Sequence, residues 1–218
     1  MNRSCRRLLI LLPLSILIGC GVTQPIRTIP AGEVHLTGSF GGGIIPFGGI
    51  AIPVPYLTAG AQYGYSDAFT VFGNGHLTAA LFKDVGLDLG GAYRAVRQEG
   101  IVPELTLAGR GYFFWDAVRG STTRLYPSLS AAASYQLSER SLLYFGTEGL
   151  YQQSTSDLFL APFAGYTFPV HERWVLQLET KWLAANKDMR HGIFEGAASV
   201  GGYGNVGIYC GVQWEAFR

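Results

Sequence analysis

The sequence predicts an all-β protein: an antiparallel up-and-down transmembrane β-barrel of about ten strands, with eight also possible. Three observations predict it. Charged residues make up 14% of the chain, against roughly 25% in ordinary soluble domains. Glycine, at 30 residues, is about twice its usual share. Segments of ten or more residues alternate between apolar and polar side chains and are separated by turn residues, with no second long apolar run after the amino terminus. A strand with one face toward lipid and the other toward a polar lumen has this pattern.

The clearest element is Arg173 to Leu183, RWVLQLETKWL. One parity holds Trp174, Leu176, Leu178, Thr180 and Trp182; the other holds Arg173, Val175, Gln177, Glu179 and Lys181. A helix would mix the two sets. On a tilted strand the two tryptophans stand roughly 20 Å apart in height. That approaches the ~25 Å band between the aromatic girdles of a membrane barrel.

Other segments repeat the alternation. Leu87, Leu89, Gly91 and Tyr93 oppose Asp88, Gly90, Ala92 and Arg94. Leu105, Leu107, Gly109, Gly111 and Phe113 oppose Glu104, Thr106, Ala108, Arg110 and Tyr112. Leu125, Leu129, Ala131, Ala133 and Tyr135 oppose Tyr126, Ser128, Ser130, Ser134 and Gln136. At the carboxy end Val206, Ile208, Cys210, Val212 and Trp214 oppose Tyr209, Gly211, Gln213 and Glu215. Asp157 to Phe168 is apolar on both faces, which leaves its orientation open.

Strands are expected near 33–41, 54–65, 68–82, 85–96, 102–114, 124–136, 141–152, 157–168, 173–184 and 205–217. Each is long enough to cross, since about 9–11 tilted residues suffice. The connections near 66–67, 97–100, 137–141 and 169–172 fall on one side and are short. Those near 42–53, 83–84, 115–123, 153–156 and 185–204 fall on the other, and three are long. Short periplasmic turns and longer outer loops are the membrane-barrel pattern, and an even strand count brings both barrel ends to the periplasmic side.

Residues 1–19 have the layout of an export signal. Arg3, Arg6 and Arg7 precede an apolar stretch from Leu8 to Gly19 that is too short to span. We therefore divide the chain into a signal peptide at 1–19, a linker at 20–32 and a barrel domain at 33–218. Without the leader's three basic residues, 13 basic residues face 15 acidic ones. That balance gives no footprint for nucleic acid. Neither a CxxC motif nor a His/Cys cluster is present, so no metal site is expected, and no phosphate loop or nucleotide fingerprint points to a cofactor.

Leu17-Ile18-Gly19-Cys20 resembles the lipobox of bacterial lipoproteins. The resemblance implies a covalent lipid on Cys20, with cleavage before it and acylation of the new amine. Each buried CH₂ contributes about 0.8 kcal/mol, so several chains anchor the protein firmly. It also implies handling by lipoprotein sorting machinery, with Gly21 permitting passage to the outer membrane. Cys20 is expected in the inner leaflet, and Cys210 then has no disulfide partner. An ordinary secretory signal with an incidental cysteine is the alternative.

From about residue 33 the chain resembles small outer-membrane barrels of Gram-negative bacteria, with Tyr63 to Gly73, YGYSDAFTVFG, matching a hairpin common among them. That implies outer-membrane lipid and the barrel assembly machinery as partners. Two features depart from the pattern. Phe217 is followed by Arg218 and shares its parity with Glu215 and Gln213, and the connection Gly41 to Pro53 is strongly apolar. That connection either folds over the mouth, extends the flanking strands or dips into lipid.

The inward parity collects Asp88, Arg94, Glu104, Arg110, Glu148, Glu179 and Lys181. Mixed signs at similar depth suggest a salt-bridged lumen that fills a narrow barrel, with a proton path or ligand pocket as the functional alternative. Of the histidines His35, His76, His171 and His191, none stands in a His-x-Ser pair, so no catalytic residue is assigned. The expected function is a non-enzymatic, lipid-anchored outer-membrane barrel with a structural or surface-interaction role. The alternative is a lipid-tethered, lipocalin-like barrel that binds an apolar small molecule in water.

Overall fold

The computed structural model describes residues 22–47, 50–118, 123–188 and 198–217. Their strands are β1 (Val34–Phe47), β2 (Ile50–Pro53), β3 (Tyr56–Ser66), β4 (Phe69–His76), β5 (Asp84–Val96), β6 (Glu104–Asp116), β7 (Thr123–Ser138), β8 (Ser141–Gln152), β9 (Asp157–His171), β10 (Trp174–Asp188) and β11 (Tyr203–Phe217). One helical turn, α1 (Leu77–Leu81), follows β4. All the pairings are antiparallel between neighbours, and β1 pairs with β11 as well as β3, which closes the ring. Because β2 pairs only with the far end of β1, the barrel proper has ten strands. Closure removes every edge from the wall, the condition for sheet to span a bilayer.

The two parities separate as the alternation predicts. On β10, Trp174 and Leu178 face out, while Glu179 and Lys181 are buried inside. Leu87, Leu89, Leu107, Phe113, Leu129, Leu143, Phe145 and Ile208 also lie on the exposed surface. β9 resolves its ambiguity with Leu158, Leu160 and Tyr166 outward and Ala161, Phe163 and Thr167 inward. Exposed aromatics cluster near the two ends of the wall. Tyr63, Tyr65, Tyr93 and Trp174 lie at the end that carries the short turns; Phe82, Trp115, Tyr151 and Tyr203 lie at the end that carries the longer loops. Trp174 stacks on its ladder partner Trp214, with centroids 5.8 Å apart.

Three local expectations change. The strand expected over 68–82 stops at His76, and Leu77–Leu81 curl into α1 at the rim. Thr78 Oγ1 holds that turn by accepting from the Leu57 amide (2.8 Å) and donating to the Pro55 carbonyl (3.4 Å). The apolar connection 41–53 extends the flanking strands, since β1 and β2 form a hairpin standing above the ring. Finally, a bulge between β1 and β11 pairs Glu215 with His35 but Phe217 with Val34. The extra residue releases Phe217 from the inward parity of Glu215, and it is 71% exposed.

Residues 22–33 depart furthest from expectation. The described part of the 20–32 linker does not trail below the barrel; it runs back up inside it. Val22, Gln24, Pro25, Ile26 and Ile29 are all buried. The strap enters beside the β3–β4 turn, where Ala31 N donates to Asp67 Oδ1 (3.1 Å) and Thr28 Oγ1 donates to the Asp67 carbonyl (2.8 Å). It ends at Val22, packed with Ala79, Tyr112 and Phe114 toward the opposite rim.

Candidate functional site

The barrel lumen is a charged chain crossed by the strap. At one end His76, 0% exposed at its side chain, lies between Tyr56 Oη (2.7 Å from Nδ1) and Asp88 Oδ2 (3.0 Å from Nε2). Arg110 Nε stands 3.6 Å from Asp88 Oδ1, and its guanidinium stacks over Phe72 (4.9 Å) and Tyr112 (5.4 Å). Tyr112 Oη accepts from Arg110 and donates to Glu148 Oε1 (3.1 Å each), which Ser128 Oγ also reaches (2.9 Å). Lys181 Nζ bridges Glu148 (3.3 Å) and Glu179 (3.4 Å), and Tyr144 Oη donates to Glu179 (3.0 Å). Buried charges demand such pairing, because an unpaired one carries a cost of several kcal/mol.

The structure therefore joins Asp88, Arg110, Glu148, Glu179 and Lys181 into one cluster. Glu104 lies apart, nearer the short-turn end, and pairs with Arg27 of the strap at 3.5 Å. Arg94 is half-buried on the lumenal face and takes none of the ion pairs found among the described residues. Cys20 and His191 lie outside the described residues. His35 bonds to Glu33 (2.9 Å) and Gln213 (2.7 Å), and His171 is exposed.

The strap's own contacts follow its sequence. Gln24 is the hub. Its amide donates to Glu179 Oε2 (3.3 Å), its Nε2 donates to Glu148 Oε2 (2.7 Å), and its carbonyl accepts from Gln177 (3.1 Å). Lys181 Nζ donates to the Val22 carbonyl at 2.6 Å. Ile26 fills the space between Ala132, Tyr144 and Phe163. Arg27 donates to Ser134 Oγ (2.9 Å), Gln136 Oε1 (2.9 Å) and Gln98 Oε1 (2.6 Å). Buried polar backbone of an irregular segment is tolerated only when partnered, and these side chains partner it.

Among the described residues, one cavity between strap and wall, of about 30 Å³, is lined by Thr23, Gln24, Ser39, Asn74 and Arg110 among others. That holds a water or two. The strap and the ion-paired cluster stand where a lipocalin-like barrel would hold its apolar ligand, and that cavity is too small for one. The Asp88–His76–Tyr56 chain has the order of a proton relay, yet every member is buried.

No protein-family model matches the sequence. No curated protein matches it either. Among solved structures, the NanC porin is similar over 84% of this chain and all of its own, at 11% identity and a TM-score of 0.45. The translocator domain of the autotransporter NalP from Neisseria meningitidis covers 98% of this chain and 96% of its own, at 11% and 0.45. An outer membrane channel from Pseudomonas putida F1 covers 88% and 99%, at 12% and 0.45. These likenesses concern barrel architecture, which here stands on the strand pairing itself.

Proposed function

We propose that the chain is a non-enzymatic outer-membrane barrel, anchored by a lipid on Cys20, with a structural or surface-interaction role. The observation that carries this is the contrast between its two surfaces. The exterior is a belt of leucine, phenylalanine and valine bounded by aromatics, while the lumen is ion-paired and filled by the chain's own strap. Placed in water, each large outward side chain would forgo about 1.5–3 kcal/mol of burial. With its lumen occupied, the barrel neither conducts like a porin nor holds a substrate, so its exposed loops and rim carry its interactions. The ends of β1 and β11 share the short-turn side, which supports a periplasmic placement of both barrel termini. Delivery by the lipoprotein sorting and barrel assembly machineries follows from this reading, with the exposed Phe217 as the carboxy-terminal aromatic.

The test is made on membranes. Carbonate extraction should leave the protein in the pellet, and the unheated protein should run as a compact band that shifts on boiling. Radiolabelled palmitate should enter the wild type and not Cys20→Ala. Release by carbonate, or a mobility indifferent to heat, would overturn the barrel-in-membrane reading.

A further inference from the structure

Resting on the lipid reading only for what sits at its tip, we infer that the amino-terminal segment of the mature chain passes through the barrel lumen and emerges at the outer, long-loop end. The path is legible in successive contacts. Ala31 and Thr28 touch the β3–β4 turn at the short-turn end. Arg27 meets Glu104 at the first residue of β6, Gln24 meets Glu148 and Glu179 at mid-wall, and Val22 reaches Phe114, two residues from the end of β6. The Val22 carbonyl accepts from Lys181, the neighbour of Trp182 on β10. Val22 therefore stands near the level of the outer aromatic girdle. Cys20 is two residues further on, and two residues of extended chain add roughly 7 Å.

The rim at that point is apolar. Ala79 of α1 packs inward on Val22, while Leu77, Leu81 and Phe82 around it are exposed, Leu81 at 81%. Val118, at 65%, lies close by, since the Ala117 amide donates to the Lys83 carbonyl. This shelf suits one occupant, the acylated Cys20 of the same chain, whose hydrocarbon would otherwise have to turn back through a lumen already crossed by the strap and lined by paired charges. The lipid then sits at the cell surface, not in the inner leaflet expected from the even strand count.

A short epitope inserted between Gly21 and Val22 of the full-length chain reads the path in intact cells. The expected result is an antibody signal that is equal before and after permeabilisation. A signal that appears only after permeabilisation overturns the inference. Palmitate labelling of the same protein separates the two readings: surface signal without label keeps the path and removes the lipid, and label with a hidden epitope does the reverse. A second measurement leaves the terminus untouched. A Cβ built on Gly211 lies 3.0 Å from Thr23 Oγ1 and 3.1 Å from its Cγ2, within disulfide reach. Thr23→Cys with Gly211→Cys, in a Cys210→Ser background, should give a reducible crosslink in the folded, heat-shiftable band. A folded band without that crosslink overturns the inference.

Discussion

Lys181 shows how much one side chain holds together. It is 1% exposed and reaches two carboxylates and the strap's Val22 carbonyl, while Phe163 and Tyr209 lie against its cationic end at 5.9 and 5.3 Å. Lys181→Met would leave the buried Glu148 and Glu179 facing one another across the lumen. Removing one partner of such a pair costs about 3–5 kcal/mol, and Lys181→Met with Glu179→Gln should recover much of it. The urea midpoint for loss of the compact band in micelles reports both. Gly64 is the second sensitive residue. A Cβ there would lie 1.9 Å from the Pro30 carbonyl oxygen, and the glycine's backbone exchanges hydrogen bonds with Gly32 (2.8 Å) and Glu33 (3.0 Å). Gly64→Ala should therefore push the strap off the entrance, at about 1–3 kcal/mol, and lower the yield of the Thr23–Gly211 crosslink. Elsewhere glycine makes room for rings. Phe72 lies over Gly90, Phe163 over Gly146 and Tyr144 over Gly165, each within 2.5 Å of where a Cβ would stand. That accounts for part of the glycine excess, because a narrow lumen admits a ring on one strand only where its neighbour has no side chain.

At the scale of elements, what was legible is what had a period. β5, β6, β7, β10 and β11 alternate in sequence because one face meets lipid and the other meets charge, so their inward residues could be named before the fold was known. β9 could not be oriented that way, since Phe159, Phe163, Leu158 and Leu160 make both faces apolar; Lys181 against Phe163 and Lys187 against Phe159 mark the inner one. The strap had no period at all. VTQPIRTIPAGE mixes two prolines with polar residues and reads as a linker, because its backbone partners are side chains of distant strands that no local pattern shows. The two kinds of element predict different failures. Leu178→Arg places a charge on the lipid face of β10 and should cost about 2–4 kcal/mol at mid-membrane, read as a lower urea midpoint. A chain without residues 22–32 should keep its wall but lose its filling. In planar bilayers the wild type should stay silent, while the strapless form should open in small steps. Those steps should prefer cations, since Asp88, Glu148 and Glu179 outnumber Arg110 and Lys181 along the exposed path.

For the whole molecule the strap constrains the order of assembly. It runs without a break through Glu33 into β1, and β1 is half of the seam that closes the ring against β11. A barrel that closed first would face a lumen already lined by Tyr112, Tyr144, Arg110 and Lys181, and the strap would have to be drawn through it end-on. The alternative requires no such passage. The strap lies against β6, β8 and β10 while β1 is still unpaired with β11, and the seam then shuts around it. The local hairpins, from β3–β4 to β10–β11, can form before this, because their loop-closure cost is small, whereas the seam joins residues at opposite ends of the domain. Two cysteine pairs time the events. Gly38→Cys with Val212→Cys spans the seam, where these positions are ladder partners, and Thr23→Cys with Gly211→Cys spans strap and wall. In pulsed crosslinking during insertion, the strap pair should form no later than the seam pair. Molecules crosslinked at the seam and reactive at Thr23→Cys would show that the ring can close empty, and the strap would then be a late arrival threaded from one end.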